Sequence, residues 1–184
     1  MRLHPILALV AGLLLSACAT APKPQITDAP QPLAYALDSG DVLRVSVYGD
    51  TEISGEYRIG DGGDVSIPLV GSVVVRGQTT KSAAARVAAA LANGYMRNPD
   101  VAVEVTQYRP FFIEGAVTNS GQFSYVPNLS VRAAVSMAGG FTETADRQRV
   151  AVHRRQGDKM VVLNLNLDQA IAPGDVVTVG QRWF

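Results

Sequence analysis

The sequence predicts an α+β fold made of two small units, and three observations carry the prediction. Short runs of alternating apolar and polar residues outnumber helical patterns along the chain. The two helical patterns are inserted among these runs and do not alternate with each of them, which argues against a doubly wound parallel sheet. Seventeen glycines and ten prolines supply the turns that many short strands need. A length of 184 residues accommodates two small domains.

Charge and cysteine content exclude several function classes. Sixteen Lys and Arg against sixteen Asp and Glu leave the chain formally neutral. A nucleic-acid binder would carry a basic excess, and a polybasic membrane-surface anchor would too. A single cysteine excludes an intramolecular disulfide and a Cys-rich zinc site.

Residues 1–17 read as a secretory signal, with Arg2 as the positive segment and Ile6 to Leu15 as an apolar stretch. That stretch is shorter than the roughly 20 residues a spanning helix needs. Leu15-Ser16-Ala17-Cys18 follows and resembles the lipobox of bacterial lipoproteins, so Cys18 is expected to be acylated and to begin the mature chain. Ala19, where an Asp often retains lipoproteins at the inner membrane, favours the periplasmic face of the outer membrane. Residues 18–34, with prolines at 22, 24, 30 and 32, read as a lipidated, extended tether.

The folded part begins near Tyr35. The turn Asp38-Ser39-Gly40-Asp41 launches the alternating strand Val42–Val47. A second strand ends near Ile59, Gly60-Asp61-Gly62-Gly63 reads as a hairpin turn, and Val65-Ser66-Ile67 follows until Pro68 stops it. Gly71 and Gly77 bracket the short run Ser72–Val75. Thr79 or Thr80 caps a helix whose expected buried face is Ala84, Val87, Ala88, Leu91 and Tyr95, with Asn93-Gly94 as its stop. Asn98-Pro99-Asp100 turns into the strand Val101–Val105. Arg109-Pro110 marks a boundary between units at 35–108 and 109–184. Beyond it come Phe111-Phe112-Ile113, Gly115 and the turn Asn119-Ser120-Gly121. Ser130 caps a helix burying Val131, Ala134, Val135 and Ala138, terminated by Gly139-Gly140. Val150–Val152 and Val161–Leu163 form a hairpin about Gln156-Gly157-Asp158. Pro173-Gly174-Asp175 then launches the last strand, Val176–Val179, an echo of Gly40-Asp41-Val42.

The residues make no case for catalysis or for a metal or cofactor. His153 lies on the opposite strand face from Val150 and Val152 and has no signalled nucleophile. Gly60–Asp64 lacks the Lys-Ser/Thr of a phosphate loop and the ligand spacing of a calcium loop. Arg154-Arg155 reads as a solvated strand end. No carboxylate pair is placed as an acid/base couple, as an enzyme acting on envelope glycan would require.

Several segments do match a known family. Leu37–Tyr48, Gly63–Gly71, Gly77-x-Thr79 and Tyr95-x-x-Asn98-Pro99-x-Val101-x-Val103-x-Val105 resemble the export domain of bacterial outer-membrane polysaccharide export lipoproteins. Phe112–Val117, Gly121-Gln122-Phe123, Ser130–Gly140 and Pro173–Val179 resemble the associated soluble-ligand-binding β-grasp (SLBB) domain. Ser120 stands where many members have Pro. The chain stops at Phe184, as in short members without the C-terminal pore helix.

The resemblance implies a non-enzymatic, lipid-anchored subunit of a homo-oligomeric periplasmic ring. Such a ring receives polysaccharide from an inner-membrane co-polymerase and passes it outward. A separate outer-membrane β-barrel or helix-bearing export protein would complete the path, with Trp183 and Phe184 as candidate partner contacts. The alternative is a periplasmic glycan- or small-molecule-binding lipoprotein module. Under either reading Gly40, Asp41, Gly71, Gly115, Gly121, Gly139, Gly140, Gly174 and Asp175 are structural turn positions, and Cys18 is the lipidation site.

Overall fold

A computed structural model describes residues 35–182 apart from 158. The signal, Cys18, the tether, Asp158, Trp183 and Phe184 lie outside the described residues.

The first unit is a three-stranded antiparallel sheet, a two-stranded hairpin and one helix. Its strands are β1 (Val42–Val47), β2 (Asp50–Arg58), β3 (Asp64–Ile67), β4 (Gly71–Val74) and β5 (Val101–Gln107), with helix α1 (Thr80–Ala92) between β4 and β5. The larger sheet runs β2-β1-β5, and β3 pairs only with β4. Central β1 alternates as the sequence requires: Leu43, Val45 and Val47 are buried, while Arg44 and Ser46 are exposed. They pack with Ile53, Ile59, Val65, Val87 and Leu91 into one core.

Thr79 caps α1 by accepting the Ser82 N–H at 3.2 Å. The helix buries Ala83, Val87 and Leu91, one residue per turn, and the small Ala83 allows close approach to the sheet. Ala84 and Ala88 flank this stripe and are half-buried. Tyr95, expected on the buried face, is 53% exposed. The helix ends at Ala92, and Gly94, at φ 101°, swings the following chain out of helical register.

The Gly60–Gly63 segment is a turn, with the Gly63 N–H donating to the Gly60 carbonyl at 2.9 Å, but it is not a hairpin. It joins strands of different sheets. The Ile59 N–H is held by the Asp41 carbonyl at 2.9 Å, keeping that end of β2 beside β1, while Asp64 pairs with Val74.

The second unit comprises β6 (Phe111–Gly115), β7 (Gly121–Phe123), α2 (Val131–Met137), β8 (Arg149–Gln156), β9 (Lys159–Asn166) and β10 (Val176–Val179). Its mixed sheet runs β7-β6-β10-β8-β9. The last strand inserts beside the first: β10 is parallel to β6 and antiparallel to β8. A parallel neighbour requires a long crossover, and α2 lies within it. Ser130 caps α2 by accepting the Ala133 N–H, and the helix buries Val131, Ala134 and Val135, followed by Ala138. Gly140 closes it, donating to the Val135 carbonyl at 2.9 Å. The chain is an α+β protein, as the sequence predicts.

Candidate functional site

The Gly-Asp echo is a repeated structural device. In the turns 38–41 and 172–175 the Asp N–H donates to the carbonyl three residues back, at 3.2 Å in both. Each Asp carboxylate also accepts the N–H of that earlier residue: Asp38 to Asp41 Oδ2 at 3.0 Å, and Ala172 to Asp175 Oδ2 at 2.7 Å. Gly40 and Gly174 have φ of 94° and 82°, the positive value that the third position of a type II turn requires. Both aspartates are 0% exposed and are the buried charged residues among those described.

A buried carboxylate must be paired and hydrogen-bonded, and each has an arginine. Arg154 grips Asp175 with two parallel bonds, Nε to Oδ1 at 2.9 Å and Nη2 to Oδ2 at 2.7 Å. This bidentate bond raises the Arg154 pKa further above its ordinary value, outweighing burial, which lowers it. Arg109 serves Asp41 through its backbone N–H (2.9 Å to Oδ1) and its Nη1 (3.3 Å to Oδ2). Arg154 is therefore not the solvated strand end expected from sequence, although Arg155 is exposed. Strand alternation explains the difference: residue 154 shares the face of buried Val150 and Val152.

Three tyrosines complete the seam between the two units. Tyr35 donates its hydroxyl to Asp41 Oδ2 at 2.6 Å and accepts Arg109 Nη1 at 2.6 Å, while the Arg109 guanidinium lies 5.7 Å from the Tyr35 ring centre. Burial, the hydrogen bond to Asp41 and the Asp41 charge push the Tyr35 phenol far above its ordinary pKa, so it stays a donor. Tyr35, Tyr108 and Tyr125 stack edge to face at 5.0 and 5.6 Å. Sequence reasoning missed these tyrosines and treated Arg109 only as a boundary.

A cavity of about 270 Å³ opens on this seam, lined by Asp38, Ser39, Arg109, Arg154, Arg155 and Gly174. No nucleophile–base pair lines it. Among the described residues no cluster of His, Cys, Asp or Glu could hold a metal ion. His153 sits half-buried on the open face of the second sheet, between Val176 and Val162.

The other turn positions lie apart from the cavity. Gly71 closes the β3–β4 hairpin, Gly115 ends β6, Gly121 begins β7, and Gly139 and Gly140 terminate α2. Gly121 is close to extended at φ 158°.

A Cβ on Gly174 would lie 2.8 Å from Arg109 Nε. Gly174→Val is therefore expected to lower stability by about 1–3 kcal/mol, through backbone strain and displacement of Arg109. Thermal denaturation measures the loss. A variant that keeps its Tm but loses activity in the cell would assign the turn a direct role.

Comparison with known proteins agrees with this architecture. Residues 29–106 match the family described as polysaccharide biosynthesis/export protein, and residues 110–163 match the SLBB domain. The exopolysaccharide production protein ExoF of Rhizobium meliloti is 37% identical over 101 residues, which are 54% of this chain and 24% of the relative. Two polysialic acid transport proteins KpsD of Escherichia coli are 27% and 26% identical over 163 residues, 80% of this chain and 28% of each relative. The chain thus spans about a quarter of the length of these relatives. With both matches in sequence order, the chain carries a polysaccharide biosynthesis/export domain followed by an SLBB domain.

Proposed function

We infer that this protein is a lipid-anchored subunit of a homo-oligomeric periplasmic ring that passes polysaccharide toward the outer membrane without covalent chemistry. The observation carrying this reading is the succession of an export domain and an SLBB domain in one chain. Relatives named for exopolysaccharide production and polysialic acid transport support it. In this reading the units divide at Arg109, the chain receives glycan from an inner-membrane co-polymerase, and its mechanism is geometric. A hydrated lumen with many individually weak polar contacts lets a long polymer slide. Deleting the chain from its host is expected to abolish surface polysaccharide while assembly inside the cell continues. Unchanged surface polysaccharide would overturn the reading.

The anchor is Cys18. Each buried CH₂ contributes about 0.8 kcal/mol, and two or more acyl chains hold a protein stably where one binds marginally. Cys18→Ser is expected to yield unprocessed or soluble protein in cell fractionation. Membrane recovery equal to wild type would remove the lipoprotein assignment.

No described helix is long and apolar enough to cross a membrane, and the described strands belong to sheets of three, five and two. Lipid admits only helices and closed barrels. In our reading a separate outer-membrane β-barrel or helix-bearing export protein provides the crossing, and Trp183 and Phe184 contribute to that contact.

A further inference from the structure

The seam cavity has an unusual electrostatic composition. A second cavity of about 310 Å³ shares Asp38, Arg109 and Arg155 with the first and adds Arg76, Gly77 and Gln156, so the two form one cleft along the junction. Among the described residues, four arginines (76, 109, 154 and 155) meet three aspartates (38, 41 and 175) here. Asp41 and Asp175 are buried against Arg109 and Arg154, and Asp38 bonds Arg76 Nε at 3.0 Å. The surplus positive charge therefore falls on Arg155, which lines both cavities and has no ion-pair partner among the described residues.

The paired arginines also keep donors in reserve. A guanidinium carries five N–H groups. Arg154 commits Nε and Nη2 to Asp175, leaving Nη1. Arg109 commits Nη1, and its Nη2 reaches Asp38 only at 3.9 Å. Asp175 fixes the Arg154 guanidinium plane through two bonds, and Asp41 with Tyr35 holds Arg109 by Nη1, so remaining N–H groups are positioned before any ligand arrives. An anion reaching Arg155 would meet pre-oriented donors, which lowers the ordering cost of binding. A planar carboxylate suits the fork of a guanidinium best. The open rim leaves room for the hydroxyl groups of a sugar. Each cavity is at the small end for ligand pockets, which start near 300 Å³, and so matches a single sugar residue of a chain.

We propose that the seam cleft is a weak binding site for the carboxylate of an acidic sugar residue, with Arg155 as its ligand-facing group. The site rests on the geometry, and the glycan nature of its ligand rests on the export reading. Weak, fast-exchanging contact suits a conduit, because a tight site would stall the polymer. Arg155 is exposed and has no ion-pair partner among the described residues, so Arg155→Gln changes the ligand-facing charge while leaving both buried pairs in place.

The test is NMR titration of the full chain in detergent with short oligogalacturonate, a neutral cello-oligosaccharide and inorganic phosphate, at low and physiological salt. Oligogalacturonate is expected to shift the resonances of Ser39, Arg109, Arg154, Arg155 and Gly174 saturably, and the neutral sugar is not. Arg155→Gln is expected to weaken binding about tenfold or more, the scale of a charge-assisted hydrogen bond, with Arg155→Lys intermediate. Binding is expected to weaken with salt, as exposed charges are screened.

Equal binding of neutral and acidic sugar, shifts confined to other surfaces, or no effect of Arg155→Gln would each overturn the proposal. Phosphate binding as tight as oligogalacturonate would also overturn it, leaving an unspecific anion patch. The deletion strain separates the two readings. Lost surface polysaccharide without oligogalacturonate binding removes the site and keeps the export role. Binding without an export defect keeps the site's chemistry and removes the export role.

Discussion

Arg154→Ala is expected to destabilise the fold by about 3–5 kcal/mol, the cost of stripping the partner from a buried ion pair. Asp175 has 1% side-chain exposure and would keep its Ala172 N–H bond but lose both charge-assisted bonds. Arg154 itself is 26% exposed, so water can enter where the guanidinium was, which places the loss toward the lower end. Typical domains have only about 5–15 kcal/mol in total, so the variant should unfold at much lower urea. Removing the charge as well, in Arg154→Met with Asp175→Asn, is expected to recover much of the loss, because an amide keeps the acceptor for Ala172 without an unpaired charge. Urea midpoints at constant slope measure both. A single-variant loss below about 1 kcal/mol, the scale of a surface pair, would mean that Asp175 is solvated.

The same logic explains why the two turns matter to the junction. Asp41 immediately precedes β1 and Asp175 immediately precedes β10, the strands at the centre of their sheets. Each carboxylate closes its own turn and also fixes an arginine that faces the seam. Folding of each unit therefore sets the geometry of the cleft between them. The Tyr35–Tyr108–Tyr125 stack runs along the same boundary, so the seam is packed as well as charged.

Much of this was legible in the sequence. Period-two alternation located β1 and β5, the Ser and Thr caps located both helices, and the Gly-Asp echo marked both turns. Alternation also carried a signal that went unread. Asp41 shares the face of Leu43, Val45 and Val47, Asp175 that of Val177 and Val179, and Arg154 that of Val150 and Val152. Charged residues in core-facing phase demand partners, and the two acids and one base in that phase could have suggested pairing. Which base meets which acid was not legible, because Arg109 and Asp41 are 68 residues apart and Arg154 and Asp175 are 21 apart. Such pairings depend on sheet order, above all on the insertion of β10 beside β6. The Tyr95 misplacement came from extending a helical period past Asn93-Gly94, where the backbone leaves the helix.

That insertion sets the second large effect. Gly115→Ala is expected to cost about 3 kcal/mol or more. Gly115 ends β6 at φ 89°, and in the parallel register it lies opposite Val179. A Cβ there would come within 2.2 Å of the Val179 carbonyl oxygen and 3.2 Å of its nitrogen. Both are backbone atoms of β10, and neither can turn aside as the end of a side chain can. The positive φ costs an L-residue about 1–2 kcal/mol, and forcing the strands apart adds an overpacking cost of about 1–3 kcal/mol. Gly71→Ala isolates the first contribution: its φ is 75°, yet a Cβ there meets nothing within 4 Å. That control should lose only about 1–2 kcal/mol. For a chain of this size each kcal/mol lowers Tm by about 2–4 °C, so calorimetry resolves the two variants. Hydrogen exchange adds a local readout, since the Ala116 N–H donates to the Val179 carbonyl at 2.9 Å. In Gly115→Ala that amide should exchange faster, while amides of the first unit keep their protection relative to global stability. Equal losses at Gly71 and Gly115 would show that β10 can shift to admit a methyl group, and the parallel pair would then be looser than its register implies.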